Sequence, residues 1–224
     1  MILHNLRRHT CIALAATALV GGCTTPEKPR PTPTVTVDAP DEPEWKSIAT
    51  PEDVDRITRV DQAWHDALAQ ARKAGFTNAI KGEGELLEPD AALPRPAPTP
   101  GSYRCRVIKL GAQRARDAAF NAYKPFFCYV EVEKDLLTIV KQTGTQRPAG
   151  RLYPGSKEKE LIFLGTLTLG SEEAPLAYGE SADRNMAGIF ERVAPFRFRL
   201  VIPWPVKESK LDVIELVPVP PPEL

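Results

Sequence analysis

Polar side chains that could recognise a ligand gather between Lys141 and Arg147, where the sequence reads KQTGTQR. Glutamine, threonine and arginine supply hydrogen-bond donors and acceptors without requiring a charge on the ligand, which suits a glycan or a partner's backbone. The segment ends a predicted strand, and loops held by a rigid sheet commonly carry recognition. We therefore predict a binding surface at Lys141, Gln146 and Arg147, with Arg151 and Tyr178 as further members. A well-formed β-turn is the alternative explanation of the same residues.

Acidic side chains are a second candidate for chemistry. Glu180, Asp183 and Glu191 each lie close in sequence to an arginine. Paired carboxylates hydrolyse glycosidic bonds when they face each other across a cleft at roughly 5 to 10 Å. One sequence does not fix that distance, and solvated ion pairs explain the same pattern. A carboxylate-dependent periplasmic hydrolase is therefore the alternative function, and no catalytic residue is assigned.

Other enzyme chemistry lacks its residues. The sequence holds no GxSxG segment, no phosphate-binding glycine loop and no Cys–His pair. His4 and His9 lie in the N-terminal leader, so His65 is the histidine that remains, beside the apolar stripe of a predicted helix. We predict no function for His65, no metal site and no cofactor.

The first 22 residues have the order of a bacterial export signal. Arg7 and Arg8 precede an apolar run from Cys11 to Val20, about half of the roughly 20 residues that a membrane span needs. Val20-Gly21-Gly22-Cys23 resembles the lipobox of bacterial lipoproteins, so cleavage before Cys23 and acylation of its thiol are expected. Thr24 stands where an aspartate would favour the inner membrane, which indicates an outer-membrane lipoprotein facing the periplasm. An ordinary signal peptide with an incidental cysteine is the alternative.

Charge and proline content indicate which partners and which structure the rest of the chain can have. The 29 basic and 29 acidic side chains balance, and loss of Arg7 and Arg8 leaves the mature chain slightly acidic, so no nucleic-acid partner is expected. Residues 23–49 are rich in proline and poor in apolar bulk, as in an extended tether. The expected partners are the membrane, through the N-terminal lipid, and an envelope protein or glycan.

A helix is predicted over residues 50–76. Thr50 fits the N-cap position with Pro51 as the first helical residue, and apolar residues then recur at helical spacing up to Gly75. Residues 77–101 are again proline-rich and are expected to form an ordered strap, and residues 219–224 a proline-rich tail. The β domain, residues 102–218, lies between the strap and the tail, and the helix should pack on it.

The β domain is predicted from alternation of apolar and polar residues. Seven or eight strands indicate an antiparallel barrel or sandwich, which makes the fold class mainly β with a packed N-terminal helix, an α+β arrangement. A short helix is expected over 112–121 and a short strand over 176–178. On the strand that begins at Phe196, the aromatic and aliphatic residues should face the core, so that Arg197 and Arg199 face outward. The predicted strands are 103–107, 126–133, 136–143, 161–169, 176–178, 186–193, 196–202 and 211–217.

Cys105 and Cys128 are the two thiols that remain once Cys11 is removed and Cys23 is acylated. Export delivers them to an oxidising compartment, where such pairs form disulfides. Both lie in phase with the apolar residues of their strands, so both should point into the core. A disulfide between them is predicted if the two strands pair, and two buried free thiols are the alternative.

Several blocks of the β domain, in order, resemble an uncharacterised family of proteobacterial envelope proteins, the domain of unknown function numbered four-eight-nine-three. The resemblance covers roughly residues 48–218 and supports the envelope address. It implies no activity and assigns no functional residue. The blocks are LLEPD at 86–90, YRCR at 103–106, IKLG at 108–111, KQTGTQR at 141–147, RLV at 199–201, PWP at 203–205 and LDVIEL at 211–216.

The function that these observations favour is a lipid-anchored, non-catalytic binding or interaction module of the cell envelope. Its ligand could be a protein, a glycan or a small molecule, and an inhibitory role is compatible with the same fold. Histidine, thiolate and nucleophilic-serine chemistry are disfavoured by the residues present.

Overall fold

The computed structural model describes residues 43–170 and 172–220. The predicted export signal, Cys23, most of the tether and the last four residues of the tail lie outside the described residues. No helix in the described part of the chain is long and apolar enough to span a membrane. The helical segments are α1 (Glu44–Ile48), α2 (Pro51–Thr58), α3 (Val60–Lys73), α4 (Thr77–Gly82) and a 3₁₀ turn (Gly84–Leu87).

The strands form a closed antiparallel barrel. From β3 to β9, neighbours in sequence are neighbours in the sheet. β1 pairs with both β3 and β9, so that eight strands, β1 and β3 to β9, complete the circle. The short β2 pairs with β1 beyond the end of β3. The mainly β fold with packed N-terminal helices is confirmed, and of the two predicted architectures the barrel is present. The strands are β1 (Gly101–Ala112), β2 (Phe120–Ala122), β3 (Phe126–Glu133), β4 (Leu136–Val140), β5 (Gln146–Pro154), β6 (Glu160–Leu169), β7 (Asn185–Ala194), β8 (Arg197–Pro203) and β9 (Ser209–Pro218).

Helices α2 and α3 occupy the segment predicted as one helix. The Thr50 hydroxyl accepts a hydrogen bond from the Asp53 N–H at 3.2 Å, so the predicted N-cap is confirmed. Arg59, with φ −99° and ψ 19°, interrupts the helix between them. Helix α1, within the predicted tether, buries Trp45 in the apolar core that also contains Ile57 of α2 and Trp64 of α3.

Two apolar cores lie on the two sides of the barrel wall. The outer core joins the helices to the barrel and includes Trp64, Ala67 and Leu68 from α3. The inner core fills the barrel with side chains that alternate with the outer ones along each strand. The inner residues are Tyr103, Cys105, Cys128, Val130, Ile139, Leu152, Phe163, Phe190, Phe198, Leu200, Ile202, Ile214 and Leu216.

Two glycines permit close packing at this wall. Gly111 has φ +67°, and a Cβ there would lie 3.0 Å from the Ala67 Cα, so glycine lets α3 approach β1. A Cβ on Gly165 would lie 2.6 Å from Cζ of the Phe163 ring and 2.4 Å from the Ala149 carbonyl oxygen. Glycine is therefore needed where the Phe163 ring packs across the inside of the barrel.

The predicted disulfide between Cys105 and Cys128 is present. It joins β1 to β3, with 6.0 Å between the two Cα atoms, and both cysteines are buried in the inner core. The two residues are diagonal neighbours, because Cys105 lies opposite Phe126 and Cys128 lies opposite Tyr103. A diagonal Cys pair still lies within disulfide range, so the predicted pairing of the two strands is also confirmed.

The predicted secondary structure differs from the observed one in three places. Residues 113–119 form a turn rather than a helix, because Asp117 accepts a hydrogen bond from the Arg114 N–H at 3.1 Å and only a few residues separate β1 from β2. Residues 176–178 form no strand, because they lie between Pro175 and a turn at Gly179, which has φ +91°. The prediction also missed β5.

Arg197 and Arg199 point to the outer side of the barrel, as alternation requires, but Arg199 does not face solvent. It is wholly buried beneath the 3₁₀ turn and the next residues of the strap, Glu88 and Pro89. Phe196, predicted to face the core, is 76 % exposed in the turn between β7 and β8. The alternation of apolar and polar residues correctly predicted the side of the sheet on which the two arginines lie. It did not predict which parts of that side are covered by other segments of the chain.

Candidate functional site

A polar cleft lies at the barrel end where β1 finishes and β9 begins, which we term the upper end. Lys109 lies on the side of β1 that carries Cys105 further down, opposite Asp212 on β9 and Asn121 on β2. The cleft has a volume of about 180 Å³. It is lined by Lys109, Asp117, Ala118, Asn121, Tyr123 and Glu208 and is termed the Lys109 cleft below.

Two carboxylates hold the Lys109 ammonium in place. Its Nζ lies 2.8 Å from Oδ2 of Asp212 and 3.4 Å from Oε2 of Glu208. The hydroxyl of the buried Ser209 donates to the other oxygen of Asp212. Because every partner of the ammonium is fixed by the fold, the cleft is preorganised before any ligand arrives.

The pKa values of Lys109 and Asp212 are both shifted from their usual range. Burial alone would lower the pKa of Lys109, but Asp212 and Glu208 outweigh it, so the pKa is raised. Burial raises the pKa of Asp212, and the Lys109 ammonium offsets only part of that effect. Lys109 is therefore a permanent cation at neutral pH and is unsuited to act as a general base.

The loop before β9 aims Glu208 at the cleft. Glu208 has φ +76°, a left-handed conformation that is uncommon for a residue with a side chain. Gln113 holds it there, since its N–H donates to the Glu208 carbonyl at 3.1 Å and its side-chain amide donates to the carbonyls of Pro205 and Ser209. The Glu208 side chain is half exposed, which leaves one carboxylate edge open to solvent.

The other wall of the cleft presents side chains without internal partners. Asn121 and Tyr123 make no side-chain hydrogen bond within residues 43–170 and 172–220. Tyr123 is 42 % exposed. An amide, a phenol ring, a carboxylate and an ammonium therefore converge on one volume, which suits a ligand rich in hydroxyl or amide groups.

The residues predicted from sequence as a binding surface are divided among several places. Lys141 and Gln146 lie at the upper end, on the side of β4 and β5 that faces the barrel interior. Arg147 instead donates to the carbonyls of Gly144, Gly170 and Glu172, and so holds a turn together. Their binding role stays a prediction.

Arg151 and Tyr178 lie elsewhere. Arg151 pairs with Glu133 at 2.6 Å, with both side chains about half exposed on the barrel wall. The Tyr178 hydroxyl donates to Asp53 at 2.5 Å and accepts from the Thr50 N–H at 3.0 Å. Tyr178 thus ties the loop between β6 and β7 to the start of α2.

Two of the three carboxylates considered for hydrolysis, Glu180 and Glu191, have structural partners. Glu191 pairs with Arg199 at 2.7 Å, and its pKa is raised by burial despite that partner. Glu180 accepts a hydrogen bond from the Ala177 N–H at 3.0 Å and closes a turn. Neither side chain lines the Lys109 cleft. His65 is 81 % exposed on α3, with Nδ1 3.1 Å from Asp66.

Comparison with protein families places the chain. The model of the family described as Domain of unknown function (DUF4893) matches residues 45–216. The chain belongs to this family. The matched range begins within α1 and ends within β9, and it contains everything between them, including the Lys109 cleft. No curated protein and no solved structure matches the chain.

The sequence prediction did not single out the Lys109 cleft, although a signal for it exists. Lys109 continues the inward phase of Tyr103, Cys105 and Val107, and Asp212 precedes the inward pair Ile214 and Leu216. A charged residue in the apolar phase of a strand needs a partner, because an isolated buried charge is costly. The sequence therefore marks each of the two charges as in need of a partner, but it does not show that their strands meet.

Proposed function

We propose that this member of the DUF4893 family is a non-catalytic binding module of the bacterial cell envelope, and that the Lys109 cleft binds a sugar unit of an envelope glycan. The observation that carries the proposal is the fixed Lys109–Asp212–Glu208 cluster beside two side chains, Asn121 and Tyr123, with unused polar groups in the described part of the chain. Anchoring at the outer membrane through Cys23 completes the proposal and rests on the leader sequence.

The filled barrel supports a site at its end rather than inside it. Side chains from all eight strands of the barrel occupy the interior. A cavity among them measures about 10 Å³, close to the volume of a single water probe. A sugar ring is much larger than this cavity and would therefore bind outside the inner core, as proposed for the Lys109 cleft.

The chemistry of the cleft fits a sugar. Hydroxyl groups can donate to Glu208 and Asp117 and accept from Lys109 and Asn121, so both hydrogen-bonding roles are available. The exposed face of Tyr123 offers an apolar surface for a sugar ring. Because the acidic side chains exceed Lys109 in charge, a neutral or amine-bearing sugar suits the cleft better than an acidic one.

A hydrolase is the second candidate, and one observation favours it. The carboxylates of Glu208 and Asp212 contact the same ammonium, so their nearest oxygens lie at most about 6 Å apart, an upper limit that allows the roughly 5 Å separation of a retaining glycosidase. The position of Asp212 argues against this function, because its side chain is 12 % exposed and its two oxygens are occupied by Lys109 and Ser209. Binding without turnover is therefore the expected behaviour.

A binding experiment with a matched variant tests the proposal. Purified protein is titrated calorimetrically with N-acetylglucosamine oligomers and with glycan strands released from bacterial cell walls. We expect Asn121→Ala to weaken binding about tenfold, and Asn78→Ala, at an exposed position of α4, to leave it unchanged. Equal binding by both variants, or no binding to any glycan, would contradict the proposed site.

Turnover and anchoring are tested separately. If reducing ends accumulate when the protein is incubated with these glycans, and Glu208→Gln abolishes their release, the hydrolase replaces the binding module. For the anchor, Cys23→Ala should leave an unprocessed or soluble product. An N-terminal peptide of unmodified mass from the wild-type envelope protein would exclude lipid attachment.

A further inference from the structure

Lys141 presents an ammonium without a counter-ion at the upper end of the barrel. Its Nζ lies 4.2 Å from the centre of the Phe126 ring, and no carboxylate within residues 43–170 and 172–220 forms an ion pair with it. Burial lowers the pKa of this lysine, and no neighbouring charge restores it. Within that range, the Phe126 ring is therefore the only group that stabilises the charge of Lys141.

The surroundings of Lys141 are otherwise apolar. Its side chain lies at the rim of a small well that opens into the inner core, with Phe126 and Pro148 at the rim and Ile139 deeper in the barrel. The well has room for about 10 Å³, so a terminal methyl group fits without movement of the lining. The full lining is Phe126, Cys128, Ile139, Lys141, Pro148, Phe163, Leu200, Ile214 and Leu216.

Two other cations on this part of the barrel are held by the fold. Lys109 is held by Asp212 and Glu208, and the guanidinium of Arg147 donates to three carbonyls. A cation that a fold leaves unpaired beside an apolar well is complementary to a molecule that is acidic at one end and apolar at the other.

We propose that Lys141 and this apolar well form a binding site for a short-chain carboxylic acid. The carboxylate pairs with the Lys141 Nζ, and the alkyl chain lies between Phe126 and Pro148 with its end in the well. The small volume selects a short, unbranched chain. This site shares no lining residue with the Lys109 cleft, so the inference goes beyond the proposed glycan function and does not depend on it.

Calorimetric titration of the purified full chain with sodium butyrate, hexanoate and octanoate tests the inference. Each added methylene should tighten binding by up to about fourfold until the well is filled, after which the affinity should level off. Octylammonium carries the same chain with the opposite charge and should not compete with octanoate. Equal binding of octylammonium and octanoate to the wild-type protein would overturn the site.

Variants of Lys141 measure the contribution of its charge separately from that of the apolar well. Lys141→Met should lose at least tenfold in octanoate affinity, Lys141→Arg should keep it within a few-fold, and Lys159→Met, at an exposed turn between β5 and β6, should change nothing. Lys141→Met should fold, because it replaces a half-buried cation by an apolar side chain of similar length. Undiminished octanoate binding by Lys141→Met would overturn the inference. So would unchanged Ile139 and Ile214 methyl resonances when octanoate is added to the wild type.

Discussion

The guanidinium carbon of Arg199 lies 5.0 Å from the centre of the Trp64 ring. Trp64 belongs to α3 and Arg199 to β8, so this contact joins the helical layer to the barrel wall. The same guanidinium donates to the Glu191 carboxylate at 2.7 Å and to the carbonyls of Leu86, Glu88 and Pro89. One buried cation therefore holds the helix, the strap and the barrel together.

Loss of the Arg199 guanidinium should be among the most destabilising single changes in the chain. Arg199→Met leaves the Glu191 carboxylate and several strap carbonyls buried without donors, and we expect the free energy of unfolding to fall by about 3 to 5 kcal/mol. Urea denaturation measures this. Arg104→Met on the exposed part of β1 is the control and should cost less than about 0.5 kcal/mol. Adding Glu191→Gln to Arg199→Met should recover part of the loss, and a further loss would contradict the assigned pairing.

Acid should weaken the fold through Glu215. Burial raises the pKa of this carboxyl, but hydrogen bonds from Arg106 and Arg197 outweigh it, so its folded-state pKa is lowered. A lowered carboxyl pKa contributes stability above the unfolded-state value that is lost as the pH falls through the folded-state value. Glu215→Gln should therefore cost about 2 kcal/mol at neutral pH and progressively less below about pH 4.

The contribution of Glu215 is measured by denaturation of the wild type and Glu215→Gln across the acidic range. Glu131→Gln, at an exposed position of β3, is the matched control and should give a difference that does not depend on pH. A constant difference between the wild type and Glu215→Gln would show that the two arginines do not stabilise the ionised carboxylate.

The disulfide should stabilise both the barrel and the Lys109 cleft. The segment that Cys105 and Cys128 enclose contains Asp117, Asn121 and Tyr123, so the bond restricts the loop that forms one wall of the cleft. Replacing both cysteines by alanine should cost roughly 3 kcal/mol and should weaken glycan binding. Non-reducing peptide mapping checks the bond, and separate, alkylatable Cys105 and Cys128 peptides would exclude it.

The barrel was predictable from sequence because its strands alternate strictly where one side is buried. Tyr103, Cys105 and Val107 share the inward phase, and the disulfide followed from that phase and from the export signal. The missed strand, β5, opens with Gln146 and carries Pro148 and Gly150, which are uncommon inside strands. Its composition indicates a turn, and its pairing with β4 and β6 overrides that local preference.

The Lys109 cleft was not predictable in the same way, because it depends on barrel closure. Lys109 and Asp212 are 103 positions apart, and only the pairing of β1 with β9 makes them neighbours. Alternation shows which side of a strand is buried, but not which strands meet when the sheet closes. Arg199 illustrates the same limit, since its outward phase does not reveal that the strap covers it.

Backbone resonances of the purified protein, followed during titration with an N-acetylglucosamine trimer, test the central claim most directly. If the Lys109 cleft binds sugar, the shifts should be confined to residues around Lys109, Asn121 and Glu208 and should disappear in Asn121→Ala but not in Asn78→Ala. If the shifts fall elsewhere on the barrel, or if saturating glycan strands from cell walls also leave the resonances of these three residues unchanged, the proposed binding site is contradicted.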